Sequence, residues 1–264
     1  MIVTKTIEDA LARHGSAVLS FSGGKDSIAV LHHCRPWADR ITVMFCDMGD
    51  MFPHVRPYVE RLTELWDFKL EIVESEPPRY ALPSDMVPTW STPFADWFLP
   101  EESKPQTQII SSVDCCSVTL WQPLDKAIKE SGTTLVFRGS KGTDEHISVR
   151  SGTTVDGIEY VNPIEDWTDT QVYWYLQDYG IELPMQYQVG INHSLDCMRC
   201  TAWLSTPAEV QRLEFTKRYY PHAFKELQER MRLVLAETQR RSEELVPALE
   251  SLFSVKPSTD TPVD

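Results

Sequence analysis

The sequence predicts a doubly wound α/β fold, a mostly parallel sheet flanked by helices, with a helical C-terminal extension. Three observations carry that reading. Short apolar runs alternate with helical stretches from Ala17 onward, as strands and helices do in successive βαβ units. The first apolar run ends in a Gly-Gly pair, as a buried parallel strand entering a tight turn would. Beyond Thr206 strand signals cease and a charged helical pattern continues to Phe253.

Taken in order, Ala17–Phe21 reads as the first strand and Asp26–Cys34 as the helix that follows it. Ile41–Phe45 repeats the strand signal. Pro53–Trp66 is helical, its prolines confined to the first turn or so, and Lys69–Val73 alternates like a third strand. Between Pro77 and Ser112 the pattern dissolves into prolines and tryptophans. An insertion this long is either functional or disordered, and its aromatic content argues for a packed lid. Cys116–Glu130 resumes a helix and Thr134–Phe137 a strand. Asp156-Gly157 forms a hairpin turn between Thr153–Val155 and Ile158–Val161. Thr168 with Gln171 makes a capping box for a helix that stops at Gly180.

The chain therefore divides into an α/β domain over 1–205, interrupted by the 77–112 insertion, a helical extension over 206–255, and a disordered tail over 256–264. The extension, two helices, packs on the body or on a partner, either another protein or a second copy. The tail holds Ser, Thr, Pro and Asp without an apolar anchor.

With 264 residues the chain is long enough to bury a large core. Its 39 acidic residues against 25 basic give a formal net charge of -14. Such a field repels a phosphate backbone, which disfavours direct nucleic-acid binding. No run approaches the ~18 apolar residues of a membrane span, and Met1–Asp9 lacks the basic and apolar regions of a secretory leader. A cytoplasmic location is expected, and six cysteines, two adjacent and two in a C-x-x-C with Cys34 and Cys46 apart, suggest metal ligation over disulfides in a reducing compartment.

Ser20-Phe21-Ser22-Gly23-Gly24-Lys25-Asp26-Ser27 sits where the first strand hands over to a helix. Glycines that tolerate positive φ let consecutive backbone N–H groups form a concave anion site, to which the helix dipole adds. Ser20, Ser22, Gly23, Gly24, Lys25, Asp26 and Ser27 are the candidate nucleotide contacts. Lys25 either supplies a point charge to the phosphates or faces solvent. Asp26 either caps the helix or is an indirect ligand of Mg²⁺ carried by a triphosphate. The spacing is not that of a Walker A loop.

Cys115-Cys116 and Cys197-Met198-Arg199-Cys200 supply four thiols in two close pairs. Adjacent cysteines must diverge, which suits the wide corners of an iron–sulfur cluster better than one tetrahedral ion, with zinc as the alternative. Cys46, beside Asp47, reads as a buried small hydrophobe. His146 and His193 lack a partner in the sequence and are assigned no role.

The S-G-G-K-D-S loop resembles that of the PP-loop adenine nucleotide α-hydrolases and their sulfonucleotide-reducing relatives. The rest of the match is to the phosphoadenosine phosphosulfate (PAPS) reductase family. Asp47-Met48-Gly49-Asp50-Met51-Phe52-Pro53 is similar to its D-T-G-x-x-F-P segment, and the cysteine pairs resemble the C-C...C-x-x-C signature of its iron–sulfur members. Pro123-Leu124, Arg138-Gly139-Ser140-Lys141 and Asn162–Thr168 extend the match over about residues 15 to 205.

That resemblance implies a 4Fe-4S cluster on Cys115, Cys116, Cys197 and Cys200. It also implies a bound adenine nucleotide: ATP, adenylyl sulfate or PAPS. Asp47 and Met48 would touch the adenosine. Gly139, Lys141 and Arg150 would join the loop at the phosphate or sulfate end, with Lys25, Asp26 and Lys141 as the catalytic set.

The family's reductases carry a catalytic cysteine in a C-terminal E-C-G-[LI]-H segment, whereas the last cysteine here is Cys200. Three readings follow. The first is PP-loop chemistry at the α-phosphate or in sulfur transfer. The second is reduction of adenylyl sulfate or PAPS to sulfite with a thiol from another chain. The third is a non-catalytic module that senses nucleotide or cluster.

Overall fold

A computed structural model describes residues 2–76, 87–89, 109–144, 149–202 and 208–253. Most of the 77–112 insertion, His146 and the 256–264 tail lie outside the described residues, and with them the lid and tail expectations.

Eight strands follow in chain order: β1 (Ala17–Ser20), β2 (Ile41–Asp47), β3 (Lys69–Glu74), β4 (Val87–Thr89), β5 (Ile109–Ser111), β6 (Leu135–Phe137), β7 (Thr153–Val155) and β8 (Ile158–Val161). Six form one sheet in the order β3-β2-β1-β6-β8-β7. All neighbours run parallel except β7, which pairs antiparallel with β8. The turn between them is Asp156-Gly157, with φ of 51° and 82°; both residues tolerate the left-handed region such a hairpin demands.

Side chains alternate across the strands, so the sheet is buried on both faces. Leu19, Val43, Leu135 and Phe137 enter one core. Val18, Met44, Val136 and Tyr160 enter the other. The first core is covered by α1 (Ile2–His14), α2 (Lys25–Cys34), α3 (Val55–Leu65) and, further along the chain, the helix Asp169–Asp178. α1 is an addition to the sequence expectation. It buries Val3, Ile7, Ala10 and Leu11, the i, i+4, i+7, i+8 stripe of an amphipathic helix. Its end is tied to β8: Arg13 and His14 each reach Glu159 at 2.6 Å.

The helix expected over Cys116–Glu130 is divided. A short α4 (Ser112–Cys116) passes into a π-helical turn at Ser117–Trp121 before α5 (Gln122–Glu130). Pro123 near the start of α5 has no N–H to continue the ladder. The Thr119 hydroxyl donates to the Cys115 carbonyl at 2.8 Å within the turn. Within the insertion, β4 and β5 pair in parallel, which the sequence did not signal.

Asp169–Asp178 is α6, and both halves of its Thr168/Gln171 capping box form. α7 is the single turn Met185–Gln188. The charged C-terminal pattern becomes two helices, α8 (Ala208–Tyr219) and α9 (Pro221–Phe253), docked on the body through Phe215, Ala223 and Leu227. Among the described residues no helix is long and apolar enough to cross a membrane.

Candidate active site

β1 and β6 are adjacent, yet the chain leaves β1 toward β2 on its other side. Their C-terminal ends therefore flank a topological switch point, where open α/β sheets bind ligands. Ser20–Gly24 leaves β1 on one side of that crevice, and Arg138–Gly139 leaves β6 on the other.

Gly23 has a φ of 72° and turns the chain into α2. The Gly24 amide donates to Ser22 Oγ at 3.2 Å and the Lys25 amide to the Tyr187 hydroxyl at 3.0 Å. Ser27 Oγ donates to the Gly24 carbonyl at 2.9 Å and lies 3.2 Å from Ser22 Oγ. Gly139 packs against this first turn so closely that a Cβ there would lie 2.6 Å from the Ser27 nitrogen.

Lys25 does not face solvent; its side chain is only 4% exposed. Its ammonium meets Asp26 Oδ2 at 2.8 Å and Asp169 Oδ1 at 3.0 Å. Lys141, 3% exposed, meets Asp26 Oδ1 at 3.0 Å, Asp144 at 2.9 Å and Asp169 at 3.3 Å. Two buried ammonium groups are thus held by three carboxylates, and Asp26 bridges both. Burial works against the charged form of Lys141, but the Asp144 hydrogen bond and the Asp26 charge outweigh it and raise its pKa. Burial likewise pushes Asp169 up, and the Lys25 and Lys141 contacts overcome it, leaving the carboxyl below its ordinary value.

A cleft of about 900 Å³ opens beside the loop. Ser20, Ser22 and Met48 line one part of it, and Arg138, Tyr160 and Trp121 another. The Arg138 guanidinium lies 4.5 Å from the centre of the Tyr160 ring, a cation–π stack. Cys46 also lines the cleft, and burial pushes its thiol up to about 12. Asp47 ends β2; one oxygen accepts from the Gly49 amide at 2.9 Å and the other from Arg56 at 2.8 Å. Arg150 stands exposed at the approach to β7 and does not line the cleft.

The cysteine pairs lie on the far side of the β2 exit loop. Cys115 is buried and the other three are half-buried. Cys115 and Cys116, each pushed up to about 12 first by burial, both feel the charge of Cys200, and Cys197 feels Cys200 and Cys115. Among the described residues, no group of three or more His, Cys, Asp or Glu is gathered that could hold a metal ion.

The 197–200 turn docks on the β2 exit loop. Met51 and Cys197 form an antiparallel bridge, the Met198 amide donates to the Asp50 carbonyl at 2.7 Å, and Cys197 Sγ lies 3.8 Å from Met48 Sδ. Met48, Met51 and Asp196 also line the cleft. One loop thus forms both the cleft wall and the seat of the cysteine turn.

Several site residues escape the sequence reading. Asp169 directly follows the Thr168 cap and Asp144 falls three positions after Lys141, so both stood beside motifs already singled out. Tyr187, on a one-turn helix, and Arg212 and Arg230, on the C-terminal helices, carry no local signal.

Comparison with known proteins agrees with this architecture. The profile of the phosphoadenosine phosphosulfate reductase domain matches residues 16–203. The phosphoadenosine 5'-phosphosulfate reductase of Erwinia tasmaniensis is 26% identical over 202 residues, 75% of this chain and 76% of that protein. The enzyme of the same description from Citrobacter koseri is 25% identical over 202 residues, 75% of each. The crystal structure of phosphoadenylyl-sulfate (PAPS) reductase from Candida auris, a phosphate complex, superposes with a TM-score of 0.52 at 16% identity, covering 72% of this chain and 85% of that one. It shares the fold.

Proposed function

Because the chain belongs to the phosphoadenosine phosphosulfate reductase domain family, we propose that it is a PP-loop enzyme that binds an adenine nucleotide in the crevice between β1 and β6. The reaction is placed at the α-phosphate or in sulfur transfer. The observation that carries this reading is the glycine turn at the switch point, where the amides of Gly24 and Lys25 open the N-terminus of α2 and favour an anion. The Lys25–Lys141 pair beside it is matched by three carboxylates, which a bound anion would partly replace as partners of the cations. Hydroxyls of Ser22 and Tyr187 occupy the Gly24 and Lys25 amides, and phosphate oxygens can replace them as charged acceptors.

In this reading the loop holds the terminal phosphates, and Met48 and the cleft wall hold the nucleoside. Asp26, Asp144 and Asp169 hold both ammonium groups beside the first turn of α2, from which they would exchange a carboxylate partner for a phosphate oxygen. With ATP, an acceptor attacks the α-phosphorus, the bond to the bridging oxygen breaks, and pyrophosphate leaves. Asp26 has both oxygens on lysines, so it serves as an anchor for the cations, while Mg²⁺ would arrive with the triphosphate.

Cys115, Cys116, Cys197 and Cys200 would hold a 4Fe-4S cluster. Four thiols in two close pairs, one of them in a turn seated on the β2 exit loop, supply the donor chemistry such a cluster takes. When bound, such a cluster supplies an electron-transfer or Lewis-acidic centre beside the substrate.

A second reading, reduction of a sulfonucleotide, is favoured by the relatives' activity. It requires a thiol to attack sulfur, displacing the nucleotide, and a second thiol to release sulfite as a disulfide forms. None of the six cysteines is placed for that role. Four are assigned to the cluster in this reading, and Cys34 and Cys46 are buried thiols with raised pKa values, so little thiolate is present at neutral pH. The attacking thiol would come from another chain.

An anaerobic preparation assayed for pyrophosphate from ATP, and for sulfite from adenylyl sulfate or PAPS with thioredoxin, separates the two. Pyrophosphate is expected. Sulfite alone moves the assignment to the second reading, and nucleotide binding without either product removes catalysis.

A further inference from the structure

We propose that the C-terminal helical pair is the second half of the cysteine site, with Arg212 of α8 and Arg230 of α9 holding the 197–200 turn and balancing the charge of the four thiolates. The inference rests on the cluster reading above and concerns residues beyond 203, where the family match ends.

The turn is held from three sides. The β2 exit loop supports it from below through Asp50 and Met51. Arg212, 3% exposed, donates to the Cys197 carbonyl while its guanidinium lies 5.4 Å from the Phe52 ring centre. Arg230 donates to the Arg199 carbonyl at 2.8 Å, and Arg199 itself pairs with Asp50 on the body and Glu226 on α9. Each bond ends on the backbone of the C-x-x-C turn or on a residue inside it. A shift of either helix would move the sulfurs.

Charge gives a second, independent reason. Four thiolates around a dicationic iron–sulfide core leave a buried dianion, which is costly without nearby cations. Arg212 and Arg230 each donate to a carbonyl of the 197–200 turn, which places both guanidinium groups beside the proposed ligands. Partners in this outer position govern metal affinity and cluster potential in general.

The test is anaerobic reconstitution with iron and sulfide of the full chain, Arg212→Gln, Arg212→Lys, Arg230→Gln and the double glutamine variant. Iron and sulfide per chain, visible absorbance and reduction potential are the readouts. Circular dichroism of the metal-free proteins reports folding. The double variant is expected to lose about 10-fold or more in iron affinity, with Arg212→Lys recovering part of the loss. Arg230→Gln, less buried, is expected to fold and to hold a cluster of lower potential, because the oxidised, less negative state loses a cation less unfavourably. A folded double variant that binds iron as the parent does, or an unchanged potential in Arg230→Gln, overturns the proposal. A parent chain that takes zinc and never assembles iron and sulfide defeats the cluster reading itself, a result distinct from normal assembly in the variants.

Discussion

At position 139, the contact of an added Cβ with the Ser27 nitrogen would be at 2.6 Å, and with the Asp26 carbonyl carbon and Ser27 Cα at 2.8 Å. All three are backbone atoms of the first turn of α2, so none can swing aside. Gly139→Ala is expected to destabilise the fold by about 1–3 kcal/mol and to displace the first turn of α2. Urea denaturation measures the first effect and nucleotide titration the second; a variant with parental affinity for ATP would show that the turn is not the binding element. The lysines make the complementary case. Lys25→Met or Lys141→Met removes a cation and leaves Asp26 and Asp169 turned toward the incoming anion. A charged hydrogen bond contributes about 1.5–3 kcal/mol, so calorimetry should show at least a ~10-fold loss of ATP affinity in each. The loop and both lysines were legible because their residue types and order are unusual. Asp169, Asp144 and Tyr187 were not, because a single Asp or Tyr gains meaning only from the neighbour that tertiary structure gives it.

Among the elements, the α6 cap illustrates how a local signal transmits to the site. Thr168 accepts from the Gln171 amide, and Asp169 is the next residue. Thr168→Ala is expected to cost about 1 kcal/mol and to loosen the Asp169 contacts with Lys25 and Lys141; thermal melts with and without nucleotide check both effects. The hairpin turn, the cap and the strands β1, β2, β3 and β8 were readable in advance because each rests on neighbours in sequence. The π-turn at Ser117–Trp121 was not. Its Thr119 is buried and donates to the Cys115 carbonyl, an arrangement that no periodicity announces. α1 did carry a readable stripe in Val3, Ile7, Ala10 and Leu11. The docking of α8 and α9 onto the cysteine turn depends on contacts far apart in sequence and left no trace in it.

For the molecule as a whole, acid should weaken the fold in two stages. His33 stacks on Tyr175 with ring centres 4.3 Å apart, and burial, with smaller effects from His32 and the N-terminus, lowers its pKa from 6.5 to about 4. The unfolded chain therefore binds this proton more readily. Stability is whole above pH 6.5 and falls as pH drops toward about 4. Glu159 acts later. Burial raises its pKa, but the Arg13 and His14 bonds prevail and set it below 4.5, so its contribution is lost only at lower pH. His32, His54 and His193 are lowered by burial as well, so melting temperatures between pH 7 and 4.5 should lose part of their slope in His33→Asn and keep it in Glu159→Gln.

The sheet ends differently on its two margins, and both endings discourage other strands. β7 is three exposed residues long, too short to template a new neighbour. β3 carries Lys69, Glu71 and Glu74 along its length, a charged border of the kind that keeps sheets from propagating between molecules. Strand addition at either margin of the six-stranded sheet is thereby discouraged.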